Sequence, residues 1–231
     1  MRRLPLFPLP VVLFPGAVTP LHIFEPRYRQ MVARCIEYDR RFGLLYHDPD
    51  RLGPFERTPG RVGTVAEIGE FRILPDGRSL LLASGIERFR IVDGIESDTK
   101  YHEALVEPMV DGEGDALEAG DSHESGDEAW RGEPDAGTRE EALMRRRRQT
   151  LSLLEVVVDR LGLPGDDVEA TEAIPPMDPA EEVSFRVAAM IQTDPMWQHG
   201  LLSLTRESAR LDRIDDLLRD ALAAGDPTQD S

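Results

Sequence analysis

Cysteine, histidine and lysine are the side chains with which a chain of this kind would make or break bonds, and here they are few and scattered. Cys35 is the only cysteine, and the histidines are His22, His47, His102, His123 and His199. A thiolate nucleophile needs a base beside it, and a metal needs ligands at short helical or turn spacings. No histidine stands at such a spacing from another or from Cys35. Lys100 is the only lysine against twenty-six arginines, and arginine cannot lose its proton to act as a base. A serine–lysine dyad would have to use Lys100. So would a phosphate-binding G-x-x-x-x-G-K-[ST] loop, yet the surrounding SDTKY lacks its glycines. G-x-S-x-G, H-E-x-x-H and the dinucleotide glycine fingerprint are absent as well. The expectation is a chain with no catalytic residue, no metal site and no cofactor.

The elements that would position such residues begin with a proline-punctuated run. Residues 4–32 read LPLFPLPVVLFPGAVTPLHIFEPRYRQMV, with six prolines that exclude an unbroken apolar helix. Residues 5–7 and 11–14 read as edge or end strands, 14–16 as a turn completed by Gly16, and 19–24 as a second strand. Glu25-Pro26 then opens a helix whose apolar face carries Tyr28, Met31, Val32 and Cys35. That face makes Cys35 a small buried apolar residue.

Residues 41–47 read as a short strand and 48–60 as a loop. In the strand starting at Val62 the even positions form the inner face up to Ile68, whereas Phe71 and Ile73 follow. The parity switches at Gly69, which predicts a β-bulge there. Pro75-Asp76-Gly77 is a hairpin turn into a strand at 79–83, and separate strands follow at 85–92 and 102–109. From Thr138 the period turns helical, with a capping box at Thr138 and Glu141 and a stop at Gly162. Arg145 to Arg148 read as a solvated face. Further helices are expected from Asp178-Pro179, from Asp194-Pro195, and from Thr205 to Gly225.

Two separated strings carry a family resemblance. PLFPLPVVLFPG followed by PLHIFEPRYRQMV, and later VGTVAEIGEFRILPDGRSLLLASGIERFRIV, resemble the N-terminal, substrate-binding domain of the Lon proteases. The ending GLLSLTRESARLDRIDDLLRDAL resembles that family's last helices, apart from Ser203, where an acidic residue is usual. The resemblance implies the free-standing form, with the ATPase and protease parts absent. It also implies a fold: α+β, a twisted antiparallel pseudo-barrel of PUA-like kind with one helix, followed by a C-terminal helical bundle.

The chain has 231 residues and a formal net charge of −17. Residues 111–137 hold ten acidic residues and one arginine, six glycines and almost no large apolar side chains. That composition cannot bury enough surface to offset ordering, so the stretch reads as a disordered acidic loop. The organisation expected is a β-rich subdomain at 1–110, the acidic loop at 111–137, a helical subdomain at 138–225 and a disordered tail at 226–231. With one cysteine and no long apolar run, a reducing cytoplasmic setting is expected.

Two functions follow from the resemblance. The first is a non-catalytic module for unfolded or degron-bearing polypeptide, serving a protease or chaperone. Its candidate groove residues are Phe14, Pro15, Glu25, Arg27, Tyr28 and an outward-facing Arg88. The alternative is RNA binding through the PUA-like fold, which the acidic charge opposes because phosphate binding needs a basic surface.

Overall fold

The computed structural model describes residues 1–50, 55–112, 136–161 and 175–224. Six strands run as β1 (Arg2–Leu9), β2 (Val18–Ile23), β3 (Arg41–Tyr46), β4 (Val62–Ile73), β5 (Ser79–Ile95) and β6 (His102–Pro108). Five helices are α1 (Pro26–Glu37), α2 (Ala136–Leu161), α3 (Ser184–Met190), α4 (Pro195–Leu202) and α5 (Glu207–Ala224). They divide into two units, Met1–Val110 with Phe185–Leu204, and Asp111–Ser184 with Thr205–Ser231. The first unit thus takes in α4 and most of α3 besides α1, where one helix was expected.

In the first unit local chemistry sets the early elements. Ala17 N donates to Phe14 O at 3.1 Å across Pro15 and Gly16, whose φ of 78° is the conformation a glycine adopts freely. Glu25 stands at the N-cap position of α1, its carbonyl accepting from Tyr28 N and Arg29 N, with Pro26 in the first turn, and Tyr28, Met31, Val32 and Cys35 are the buried face. Residues 11–14 form no strand; they are irregular chain that goes from the exposed Val11 to the buried Leu13 and Phe14, and Thr64 Oγ1 donates to Leu13 O at 2.5 Å.

The sheet runs β2-β5-β4-β3-β1-β6, and β6 also pairs with β5, so the ladder returns on itself. It is mixed, not antiparallel throughout, because β1 and β3 pair parallel. Between them the chain passes through β2 and α1, the long crossover that a parallel return needs. Nor is β1 an edge strand. Its first half pairs with β6 and its second half with β3. Each half has a neighbour on one side, so a proline nitrogen turned to the other side costs no ladder bond.

Residues 79–83 and 85–92, expected as two strands, are one. A Cβ at Gly85 would stand 2.2 Å from Phe14 O, so this glycine admits the passing backbone; the strand continues through it, with a register shift against β4 where Val65 pairs Glu87 and Ala66 pairs Gly85. Register shifts by one residue between Ile68 and Phe71, the bulge expected at Gly69. Arg40 donates to Ile68 O at 2.8 Å and Gly69 O at 2.6 Å, satisfying the carbonyls that the bulge displaces. Before the bulge β4 is buried on both faces: Ala66 and Ile68 join one cluster with α1, while Val65 joins another with Leu6, Phe89 and Ile91.

The second unit is built on α2 and α5. The α2 helix starts at Ala136, ahead of the expected cap, and α5 starts at Glu207, two residues past Thr205. Leu154 and Val157 of α2 and Leu211, Ile214 and Leu218 of α5 are buried. The arginine run is solvated only in part: Arg145 and Arg148 are exposed, whereas Arg147 is buried and donates to Glu207 at 2.6 Å. Asp178 accepts from Ala180 N at 2.8 Å in a turn, and no helix begins there. Asp111 pairs with the fully buried Arg210 at 2.6 Å. Of the acidic stretch, 113–135 lie outside the described residues, as do Gly162, Gly225 and the tail.

Candidate functional site

The first unit carries a groove of about 450 Å³ on the hairpin side of its sheet, lined by Pro20, Leu21, His22, Glu70, Phe71, Arg72 and Leu80 to Leu82. Three strands make it. Register places Leu21, Leu81 and Phe71 in one row across β2, β5 and β4, and His22, Leu80 and Arg72 in the next. Side chains alternate faces along a strand, so the first row points into the core and the second points out. Leu81 is buried and Leu80 is 43% exposed, as that alternation requires.

Pro20, Leu80 and Leu82 form an apolar strip on this outer face, with Glu70, Arg72 and His22 as polar neighbours. Among the described residues β2 pairs only with β5, so the strip lies beside a free strand edge. Nothing here has the make-up of a reaction centre. It is a surface that can hold an apolar side chain and pair a backbone.

The residues expected to rim a groove fall elsewhere in part. Phe14 is buried, stacked on Phe185 with centroids 5.9 Å apart. Tyr28 is buried against Phe7 at 4.2 Å, and burial raises its pKa. Arg88 does not face outward: it is 4% exposed, donates to Leu202 O at 2.8 Å and Leu204 O at 2.6 Å, and lies 5.1 Å over Phe185. Pro15 and Glu25 are half-buried and flank β2 at its two ends in the chain. Arg27 pairs with Glu25 at 2.9 Å and covers the Tyr28 ring at 4.6 Å. The groove leucines were overlooked. Their signal was Leu80-Leu81-Leu82, apolar at both parities of a hairpin strand, so that one parity had to face out.

A second cavity, of about 180 Å³, has Cys35 in its wall with Arg3, Arg34, Tyr101 and Glu103. Among the described residues no histidine lines it. Burial pushes the Cys35 thiol up to about 12, so it stays protonated at neutral pH. Burial opposes ionisation of Glu103, and hydrogen bonds from Arg3 and Thr99 outweigh it, holding this carboxyl below its ordinary value. Among the described residues no group of three or more His, Cys, Asp or Glu could hold a metal ion. None of the described helices is long and apolar enough to cross a membrane.

A model of the ATP-dependent protease La (LON) substrate-binding domain matches residues 3–220. The chain belongs to this family. Its Lon relatives include the Lon protease of Cytophaga hutchinsonii, 30% identical over 110 residues that make up 47% of this chain and 13% of that protein. Cereblon of Danio rerio is 34% identical over 97 residues, 40% of this chain and 22% of that protein. The chain thus spans less than a quarter of the length of either of these relatives. Among solved structures, a Lon N-terminal domain protein from Xanthomonas campestris superposes with TM-score 0.53 at 24% identity, covering 93% of this chain and 97% of that one. The N-terminal domain of a Mycobacterium avium complex Lon protease gives 0.56 at 15% identity, covering 95% and 99%. At these identities the likeness speaks to the fold, six strands in a mixed sheet with five helices.

Proposed function

We propose that the chain recognises polypeptide and performs no chemistry on it, holding unfolded or degron-bearing segments at the groove beside β2 on behalf of a protease or chaperone in the cytoplasm. The observation that carries this is the apolar strip of Pro20, Leu80 and Leu82 at a strand edge that has no second neighbour among the described residues. Membership of a substrate-binding domain family supports it. Contiguous exposed apolar surface of this kind marks a binding site more often than it marks chance. In this reading residues 1–110 are the binding part, a PUA-like pseudo-barrel supported by the circuit of pairings through β5, β4, β3, β1 and β6. Pro15, Glu25 and Arg27 are rim residues at the ends of β2, and residues 138–225 form the supporting helical part.

A fluorescent unfolded peptide titrated with the full chain tests it. Binding in the micromolar range is expected, with Leu80→Asp weakening it about tenfold or more, since a charge would then sit in the strip. A flat titration at high protein concentration, or full affinity in Leu80→Asp, would remove this reading. Structured RNA offered at low salt should give no shift, because the chain carries −17.

A further inference from the structure

The hydrogen-bond phase of β2 specifies what its free edge can accept. In an antiparallel pair a residue directs its own N–H and C=O to the same side, and successive residues alternate sides. Gly85 N donates to Ala17 O at 2.8 Å, and the register continues from Val18 opposite Ser84 to Ile23 opposite Ser79. Thr19, Leu21 and Ile23 therefore direct their main-chain groups to β5. Val18, Pro20 and His22 direct theirs away from it, where no other described strand lies. The edge presents three carbonyls and two N–H donors, because Pro20 has none. The same three residues put their side chains on the face of Leu80 and Leu82; Pro20 is opposite Leu82, His22 opposite Leu80 and Val18 opposite Ser84.

We propose that this edge takes an extended, proline-free polypeptide as an added strand, read through the main-chain groups of Val18, Pro20 and His22. The proposal rests on the polypeptide-binding reading above and deepens it to a binding mode and a substrate pattern. Strand addition gives affinity through the ladder and selectivity through alternate side chains. Every second residue of the incoming segment lies on the face of Val18, Pro20 and His22 and packs against them, with Leu80 and Leu82 one strand further in. That selects segments with apolar side chains at every second position.

A second copy of this chain is a poor occupant. Bringing two β2 edges together aligns the outward residues of one with those of the other. Each Pro20 inside the ladder then leaves a partner carbonyl without its donor, two lost bonds per dimer. A foreign strand without proline loses one. Proline on an edge is a known device against self-pairing, and here it disfavours a copy more than a guest.

The test uses the full chain and short fluorescent peptides of alternating valine and threonine. One is unmodified, one is N-methylated on its valine amides and one on its threonine amides. Only one parity of amides can face β2, so one methylated peptide should lose about tenfold or more in affinity while the other stays within about twofold. His22→Pro removes an outward donor and leaves the β5 ladder intact. It should weaken the unmodified peptide about fivefold or more with an unchanged circular dichroism spectrum. Equal behaviour of the two methylated peptides, retained or lost alike, would overturn strand addition while leaving groove binding standing. No binding of any peptide would remove both readings. Concentration-dependent dimerisation abolished by His22→Pro would give the edge to a second copy and overturn the proposal.

Discussion

The Arg88 guanidinium grips two carbonyls, Leu202 O and Leu204 O, at the end of α4 and covers the Phe185 ring. Nothing in ERFRIV announces this, because alternation with Phe89 and Ile91 is what a strand with one wet face looks like. The carbonyls it holds are more than a hundred residues away, and no local rule reaches them. Arg88→Ala would take this donor from both carbonyls, of which the bond to Leu202 O is buried, and empty the space over Phe185. Hydrogen bonds to charged groups of this kind are worth about 1.5–3 kcal/mol, and the expected loss in urea denaturation is about 3 kcal/mol. Peptide affinity per folded molecule should not change. A variant with native stability and lost affinity would instead make Arg88 a ligand contact. Tyr28 and Cys35 show the opposite legibility: their burial follows from helical spacing alone, and the structure places both on the covered face of α1.

Elements whose cause is local were readable, and elements whose cause is a distant partner were not. The Glu25-Pro26 start of α1, the Asp194-Pro195 start of α4 and the bulge at Gly69 all follow from residues within a turn of the event. The parallel pairing of β1 with β3 depends on where β2 and α1 carry the chain. The groove leucines of β5 show a triplet whose two parities differ in exposure only once a sheet is assembled around it. The same holds for the arginine run of α2. Composition reads it as solvated, yet two members in four turn toward α5: Arg146 pairs with Asp212 and Asp215, and Arg147 with Glu207, which also accepts from Val183 N at 3.1 Å. A buried pair broken on one side leaves an uncompensated charge, costing about 3–5 kcal/mol. Glu207→Gln should therefore destabilise the second unit strongly. The double replacement Arg147→Met with Glu207→Leu should recover part of that loss, because removing both charges removes both desolvation penalties while Val183 N loses its acceptor. Chemical denaturation of the single and double variants measures it. A single variant costing under about 1 kcal/mol would mean that the pair is solvated after all.

Charge belongs to the whole molecule, since the −17 acts on a partner before any contact forms. Nine acidic residues and Arg131 in 113–135 account for −8 of it, so deleting that segment leaves −9. Fields of this size raise encounter rates with oppositely charged partners and fall away over about 8 Å at physiological salt. A polypeptide that carries its apolar residues between arginines or lysines should be drawn to this chain faster than a neutral one. The groove would then retain both through the same strip. The two steps separate in kinetics. For a cationic test peptide the association rate should drop several-fold between low and physiological salt, and the drop should be smaller in the 113–135 deletion. The dissociation rate should hardly move in either case, because it is set by apolar contact and main-chain pairing at β2. Stopped-flow fluorescence at a series of salt concentrations resolves the two rates. Equal salt dependence in both proteins would show that the acidic segment plays no part in capture, whereas a salt-dependent dissociation rate would place charge inside the bound complex.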